Sequence, residues 1–247
     1  MKHQNLDELT SAYGDQFKFH DENLLMLSWY ARRIISTMIA RNCRRVLSLG
    51  IGHQVLPNAI IDGLGSRLTR YTIVEGSREI IENFRSRTAV PPNVELVHSF
   101  FEDYRPADRL DAIEMGFVLE HVNDPGAIVR QYLQYLAPGG TLFIAVPNAK
   151  SLHRLIGHEA GLLDNLYRLS AEDLQLGHQR YFDYQSLCKL VLDAGLKIVN
   201  VEGILLKPVT SGQLKSLNLP PAVVEGLLKV GVSLPEICNS MLVEARL

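Results

Sequence analysis

Apolar positions along the chain gather into short runs separated by stretches of helical period. Val46, Leu47 and Leu49 form one such run, which ends abruptly at Gly50 and Gly52. That pattern reads as a buried strand breaking into a tight turn before a helix. Further strands are predicted at Tyr71–Val74, Val94–Val97, Leu110–Met115, Thr141–Val146, Lys197–Leu206 and Cys238–Arg246. Between them the period changes. Leu24, Leu27, Ala31, Ile34, Ile35 and Met38 recur at helical spacing, so a helix is expected from Asp21 to Asn42 with Asp21 as its cap. Further helices are expected over Gln54–Leu64, stopped by Gly63 and Gly65, and over Ser77–Arg87. Another should run from Asn123-Asp124-Pro125 to Leu136, closed by Pro138-Gly139-Gly140, and the last major one from Gln185 to Ala194 with Gly195 as its stop. Alternation of strand and helix predicts an α/β fold.

The segments outside this alternation carry the individuality of the chain. Residues 1–20 are polar and aperiodic, which fits an arm that orders over a site or an end that frays. Residues 148–182 interrupt the alternation, with SLHRLIGHEAGLL helical in period. Residues 207–236 interrupt it again, where Pro208, Pro220, Pro221 and Pro235 divide short helical pieces.

Composition narrows the class. A chain of 247 residues that is 47% hydrophobic and carries a net charge of −2 fits a single globular domain, 1–247, with a sizeable core. No basic stripe invites nucleic acid. Apolar windows fall short of the ~20 residues of a membrane span, and no leader opens the chain, so a cytoplasmic protein without a membrane partner is expected. Cys43, Cys188 and Cys238 are far apart, which suggests neither a disulfide framework nor a zinc knuckle. His153 and His158 are spaced off a common helix face, so no metal is expected.

The glycine turn is the first candidate for chemistry. Glycine tolerates positive φ and close approach of a ligand, and the helix start beyond it offers unpaired N–H groups. An acid, Glu75, stands at the end of the next strand, 23 residues past Gly52. In nucleotide-binding βαβ units an acid at about that distance (roughly 20 residues) accepts hydrogen bonds from ribose hydroxyls; the plainer reading of Glu75 is a solvated loop carboxylate. Val55 stands where a dinucleotide fingerprint has its third glycine, which argues against NAD or FAD. A Gly-Lys-Ser/Thr ending is also lacking, which argues against ATP or GTP hydrolysis.

The ordered motifs VLSLGIGHQ, IVEGS, LDAIEMGFVLEHVNDP and LAPGGTLFIAVPNA resemble those of class I S-adenosylmethionine-dependent methyltransferases, over roughly residues 44–150. The resemblance implies a Rossmann-like, doubly wound seven-stranded sheet of order 3-2-1-4-5-7-6 with helical insertions. It makes 1–43 an arm and helix, 44–147 the cofactor-binding core, and 148–182 with 207–236 the substrate-recognition excursions. S-adenosylmethionine, leaving as S-adenosylhomocysteine, would be held by Gly50, Ile51, Gly52 and His53, by Glu75, Gly76 and Ser77, by Phe100 and Phe101 at the adenine, and by Met115, Gly116, Phe117 and His121. Ser48 departs from the family, many of whose members carry an acid there. His121 has the alternative of pinning its loop. Trp29 and Tyr30 are expected near the cofactor, with Tyr30 reaching the acceptor, or else in the core.

The implied chemistry is in-line attack on a sulfonium methyl, so the protein supplies mainly alignment and desolvation. An oxygen acceptor of high pKa also needs a base, for which His178 and His153 are the candidates. Arg154 and Arg180 are candidate clamps for an anionic acceptor, against the ordinary reading of solvated surface arginines. The expected activity is methylation of an oxygen, before a nitrogen, of a small and possibly anionic metabolite by a monomer or homodimer. Two other classes stay open: a non-catalytic cofactor-binding regulatory module, and a nicotinamide-dependent oxidoreductase.

Overall fold

β1 (Arg45–Leu49) is buried on both faces because it lies inside a sheet, paired in parallel with β2 (Arg70–Glu75) on one side and β4 (Leu110–Gly116) on the other. β2 pairs in parallel with β3 (Val94–His98). With β5 (Leu136–Pro147), β6 (Lys197–Ile204) and β7 (Ser240–Arg246) they form a seven-stranded sheet of order β3-β2-β1-β4-β5-β7-β6, the order the motif resemblance implied. This computed structural model describes residues 6–247. No helix among them is long and apolar enough to cross a membrane. By its internal contacts the chain divides into two compact units. One comprises the chain up to Met115 with Ala127–Phe143 and Arg246–Leu247; the other comprises Gly116–Gly126 and Ile144–Ala245.

In the first unit a 3-10 helix, Leu6–Tyr13, precedes α1 (His20–Ala40), α2 (Val55–Leu64) and α3 (Arg78–Arg87). Tyr30, Ile34 and Met38, four apart on α1, are fully buried, each contributing about 1.5–3 kcal/mol of hydrophobic stabilisation. Asp21 is not the cap of α1: Phe19 occupies that position without a side-chain bond, and Asp21 sits in the first turn. Gly63 is no helix stop either. It lies inside α2, where a Cβ would come within 2.9 Å of the Ile35 side chain, so its role is the close approach of α1 and α2, and Gly65 ends the helix. α3 is capped by Ser77, whose hydroxyl accepts from the Ile80 amide.

α4 covers Pro125–Leu133, and β5 begins at Leu136, earlier than expected. Pro138-Gly139-Gly140 therefore lies within β5, not before it. A side chain on Gly140 would meet the carbonyls of Ala137 and Leu110 at 2.9 and 3.0 Å, so glycine is what lets the strand run through.

The second unit contains α5 (Leu152–Glu159), α6 (Ala171–Gln175), α7 (Tyr184–Asp193), α8 (Ser211–Ser216) and α9 (Pro221–Gly231). Reciprocal caps start three of them: Ser170 with Asp173, Asp183 with Ser186 and Thr210 with Gln213. Asn148 closes the unit. Its buried amide donates to the carbonyls of Glu236 at 2.9 Å and Cys238 at 3.0 Å, so the end of the second excursion is fastened to the start of the first.

Candidate active site

Gly50 and Gly52 adopt φ of +87° and +53°, the left-handed region that a side chain would strain. The turn is braced from the end of β2. Glu75, 6% exposed, accepts the Ile51 amide on Oε2 at 2.9 Å and the Ser77 amide on Oε1 at 2.8 Å. Burial pushes its pKa up, while the amides of Ser77, Ile51 and Gly76 oppose that shift. Glu75 is therefore no solvated loop acid. Each oxygen of a carboxylate has more than one acceptor site, so both retain capacity toward ribose hydroxyls while holding the turn.

Phe101 and Phe100 border the same turn. A Cβ on Gly50 would lie 3.9 Å from the Phe101 ring, and one on Gly76 3.7 Å from Phe100. The Phe101 carbonyl is fixed by the Tyr132 hydroxyl and the Gln131 amide, both at 2.9 Å. The arm is present over this surface from Leu6 onward. Leu6 comes within 2.5 Å of a Cβ built on Gly76, Tyr13 within 3.7 Å of one built on Gly52, and Asp7 accepts from the Ser77 hydroxyl at 2.6 Å.

His53 packs edge-on to Tyr13 and His20, with ring centroids 5.3 and 5.5 Å apart, and its Nε2 is 3.3 Å from the Asn23 amide. Burial, then the neighbouring His20, lowers its pKa to about 4. Among the described residues, His20 Nδ1 and Trp29 Nε1 are buried polar atoms without a hydrogen-bond partner. The His20 ring packs on His53 at the end of the glycine turn, so its unpartnered nitrogen is a polar group to which a ligand there could bond.

Tyr30 corrects the expectation of an acceptor ligand. It is 0% exposed and donates to Glu114 at 2.9 Å, so its hydroxyl is committed inside the core. Glu114 also bears on the departure at Ser48. The two are register partners on β4 and β1, and the Ser48 hydroxyl pairs with Tyr71 at 2.9 Å. A buried acid is thus kept at this level of the sheet, but on the neighbouring strand. Met115, at the end of β4, is fully buried.

In the second unit, Phe117 takes φ +59° and its amide donates to Ala145 at 2.7 Å, turning the chain sharply after Gly116. Glu120 follows, 0% exposed, with neither carboxylate oxygen hydrogen-bonded. Burial raises its pKa to about 7, against the pull of His178, its own amide and Arg180. His121 packs edge-on against His178, ring centroids 4.7 Å apart. Burial, and then His178, lowers the His121 pKa to about 3. His178, its side chain 8% exposed, places Nδ1 3.2 Å from Asp173 Oδ1. Asp173 is itself held by the Ser170 amide at 2.7 Å and the Tyr181 hydroxyl at 2.9 Å. Although burial opposes it, the His178 contact and the Ser170 bonds hold its pKa down at about 2. Glu120 and Asp173 were not singled out from sequence.

Arg154 and Arg180 are not free clamps. Arg154 donates to the carbonyls of Leu166 and Arg168, each at 2.8 Å, and lies over the Tyr181 ring at 4.4 Å. Arg180 donates to the carbonyls of Leu119, Val122 and Asn123. A guanidinium, with five donors in a fixed fork, suits this stapling of irregular backbone. His153 is mostly buried, its Nδ1 without a partner. Burial, then Lys207 and Arg154, lowers its pKa to about 3. An imidazole so weakly basic is poorly matched to removing a hydroxyl proton.

The fold and a glycine turn braced by a buried acid define a class I methyltransferase architecture. Residues 21–201 match the model of a methyltransferase domain, and the chain belongs to that family of S-adenosylmethionine-dependent enzymes. It is 28% identical over 205 residues to the ubiquinone biosynthesis O-methyltransferase of Xanthomonas campestris pv. campestris (strain B100), covering 80% of this chain and 79% of that one. Among solved structures it is similar to magnesium protoporphyrin IX methyltransferase of Synechocystis PCC 6803 with bound S-adenosylhomocysteine, at 13% identity and TM-score 0.61, over 97% of this chain and 93% of that one. It is likewise similar to the N-methyltransferase NodS of Bradyrhizobium japonicum WM9 in complex with S-adenosylhomocysteine, at 12% identity and TM-score 0.59, over 99% and 98%.

Proposed function

We propose that the protein methylates an oxygen of a small metabolite, and that His178, clustered with Glu120 and His121, activates that oxygen. The bound cofactor supplies an electrophilic methyl on a sulfonium. Gly50, Gly52 and Glu75 hold its nucleoside, with Phe100 and Phe101 against the base and Met115 along its methionine part. The observation that carries the oxygen assignment is the Asp173–His178 pair. Asp173 Oδ1 stands at ion-pair distance from Nδ1, short of hydrogen-bond geometry, and its charge favours the proton on that nitrogen, leaving Nε2 to take another, which an oxygen acceptor requires and a neutral amine does not. Similarity to an O-methyltransferase over four-fifths of the chain supports the same reading. An anionic acceptor loses the two arginines on which it was expected.

The acceptor itself is found by incubating the protein with a metabolite extract and isotope-labelled cofactor and identifying labelled products by mass spectrometry. On that acceptor His178→Ala is expected to lower kcat by about 100- to 10,000-fold while cofactor affinity is unchanged. Parent kcat in that variant, or a product labelled on nitrogen, overturns the assignment.

A further inference from the structure

We propose that Glu120, His121 and His178 are the ligands of a divalent metal ion of the zinc type, with a position left open for the acceptor oxygen. Each residue offers one donor atom, and the three atoms lie within 4.8 Å of one another. Two imidazoles and one carboxylate form a donor set suited to Zn²⁺ and its neighbours in the first transition row. Bonds of roughly 2.0–2.2 Å require the three donors to close by about an ångström around the ion.

Three observations make this more than a cluster of titratable groups. Glu120 is wholly buried and neither oxygen has a hydrogen-bond partner, an arrangement costly for a carboxylate unless something charged completes it. The imidazoles are set against each other and against a carboxylate. Asp173 Oδ1 sits at ion-pair distance, 3.2 Å, from His178 Nδ1, and the His121 ring packs edge-on against His178. A metal-bound histidine characteristically gives its other N–H to a carboxylate or a backbone carbonyl, which fixes its tautomer and aims its free nitrogen. Finally, Arg180, the cation nearest in sequence to His178, is turned onto the carbonyls of Leu119, Val122 and Asn123, which shapes the loop carrying Glu120 and His121 and leaves Glu120 a through-space attraction but no direct hydrogen bond from the guanidinium.

The inference deepens the function proposed above, on which it rests only for the ion's role. With the ion held by these residues, an acceptor hydroxyl at the open position would have its pKa lowered and would release its proton to solvent; its oxygen would form the new C–O bond as the methyl–sulfur bond breaks and S-adenosylhomocysteine leaves. His178 serves in that case as a ligand, so loss of rate in His178→Ala does not separate the two; metal binding does.

The test is a titration of the metal-stripped protein with Co²⁺ alone, read by visible absorption, followed by displacement with Zn²⁺. It is run without cofactor or acceptor, so its failure leaves the methyl-transfer reading standing, and the reverse holds. One saturable equivalent is expected, with d–d bands of a site containing nitrogen and oxygen. Glu120→Gln and His178→Asn should abolish it, and Asp173→Asn should weaken it 10- to 100-fold. Absence of saturable binding to the folded parent overturns the proposal, as does unchanged affinity in Glu120→Gln. Should a variant fail to melt cooperatively, the parent still decides: on Zn²⁺ addition the ring resonances of His121 and His178 must shift together, and resonances that stay in place overturn the proposal.

Discussion

Glu75 illustrates how much one carboxylate holds. Its oxygens accept from the amides of Ile51 and Ser77, so removing the charge disturbs the turn as well as any ligand bound to it. Glu75→Gln replaces one acceptor with a donor facing an amide. Calorimetry is expected to show cofactor binding weakened by about 1.5–3 kcal/mol, and parent affinity would break the link between Glu75 and the nucleoside. Arg180 is the opposite case, a residue whose charge suggested a ligand and whose geometry serves the backbone. Arg180→Ala should destabilise the fold by about 1.5–3 kcal/mol in urea titration, because three carbonyls lose their donor. Arg180→Lys should restore little of this, since an ammonium lacks the fork. A variant with parent stability and raised KM would reinstate the anion clamp. The place of Glu75 at a strand end beside the glycine turn was legible in the sequence, because it follows from the local pattern. Glu120 and Asp173 were not, because their surroundings come from segments far apart in the chain, and Arg180 was not, because backbone carbonyls leave no mark in a sequence.

At the level of elements, strands and helices were read from period, and their ends from caps. Ser77 announces α3 by its hydroxyl, whereas α1 begins without any side-chain cap and β5 passes through a Pro-Gly-Gly tract that local rules assign to a turn. What local rules cannot supply is the neighbour that makes glycine necessary, here the Leu110 carbonyl beside Gly140. The 3-10 helix Leu6–Tyr13 had no periodic signal, yet it lies on α3 and reaches the glycine turn. Asp7 fastens it through the Ser77 hydroxyl. Asp7→Ala is expected to speed amide hydrogen exchange across 6–13 and to shorten the residence time of S-adenosylhomocysteine measured by stopped flow. An unchanged residence time with faster exchange would show that the segment opens without governing the ligand.

For the molecule as a whole, partly buried histidines contribute to the response to acid. Burial holds His53 at about 4 and His153 at about 3, below the 6.5 of an unperturbed imidazole. Between those values and 6.5 the unfolded chain binds more protons than the native one, so stability is complete above pH 6.5 and falls as pH drops toward 4. Each histidine should cost about 2 kcal/mol at pH 5. Melting curves at pH 7.5 and pH 5 are expected to converge on substitution, with His53→Gln and His153→Gln each flattening the dependence. Curves of parent and variants that run parallel would show that these histidines are protonated in the native state.

The sheet order has a consequence for biosynthesis. β7 lies between β5 and β6 yet is translated after both. While the ribosome is still making α8 and α9, β5 and β6 each present an edge whose partner does not yet exist, and an unpaired edge is a template for another chain. Asn148 waits in the same way for the carbonyls of Glu236 and Cys238. A nascent chain stalled before Ser240 is therefore the species on which a chaperone has most to do, and the one from which aggregation would start.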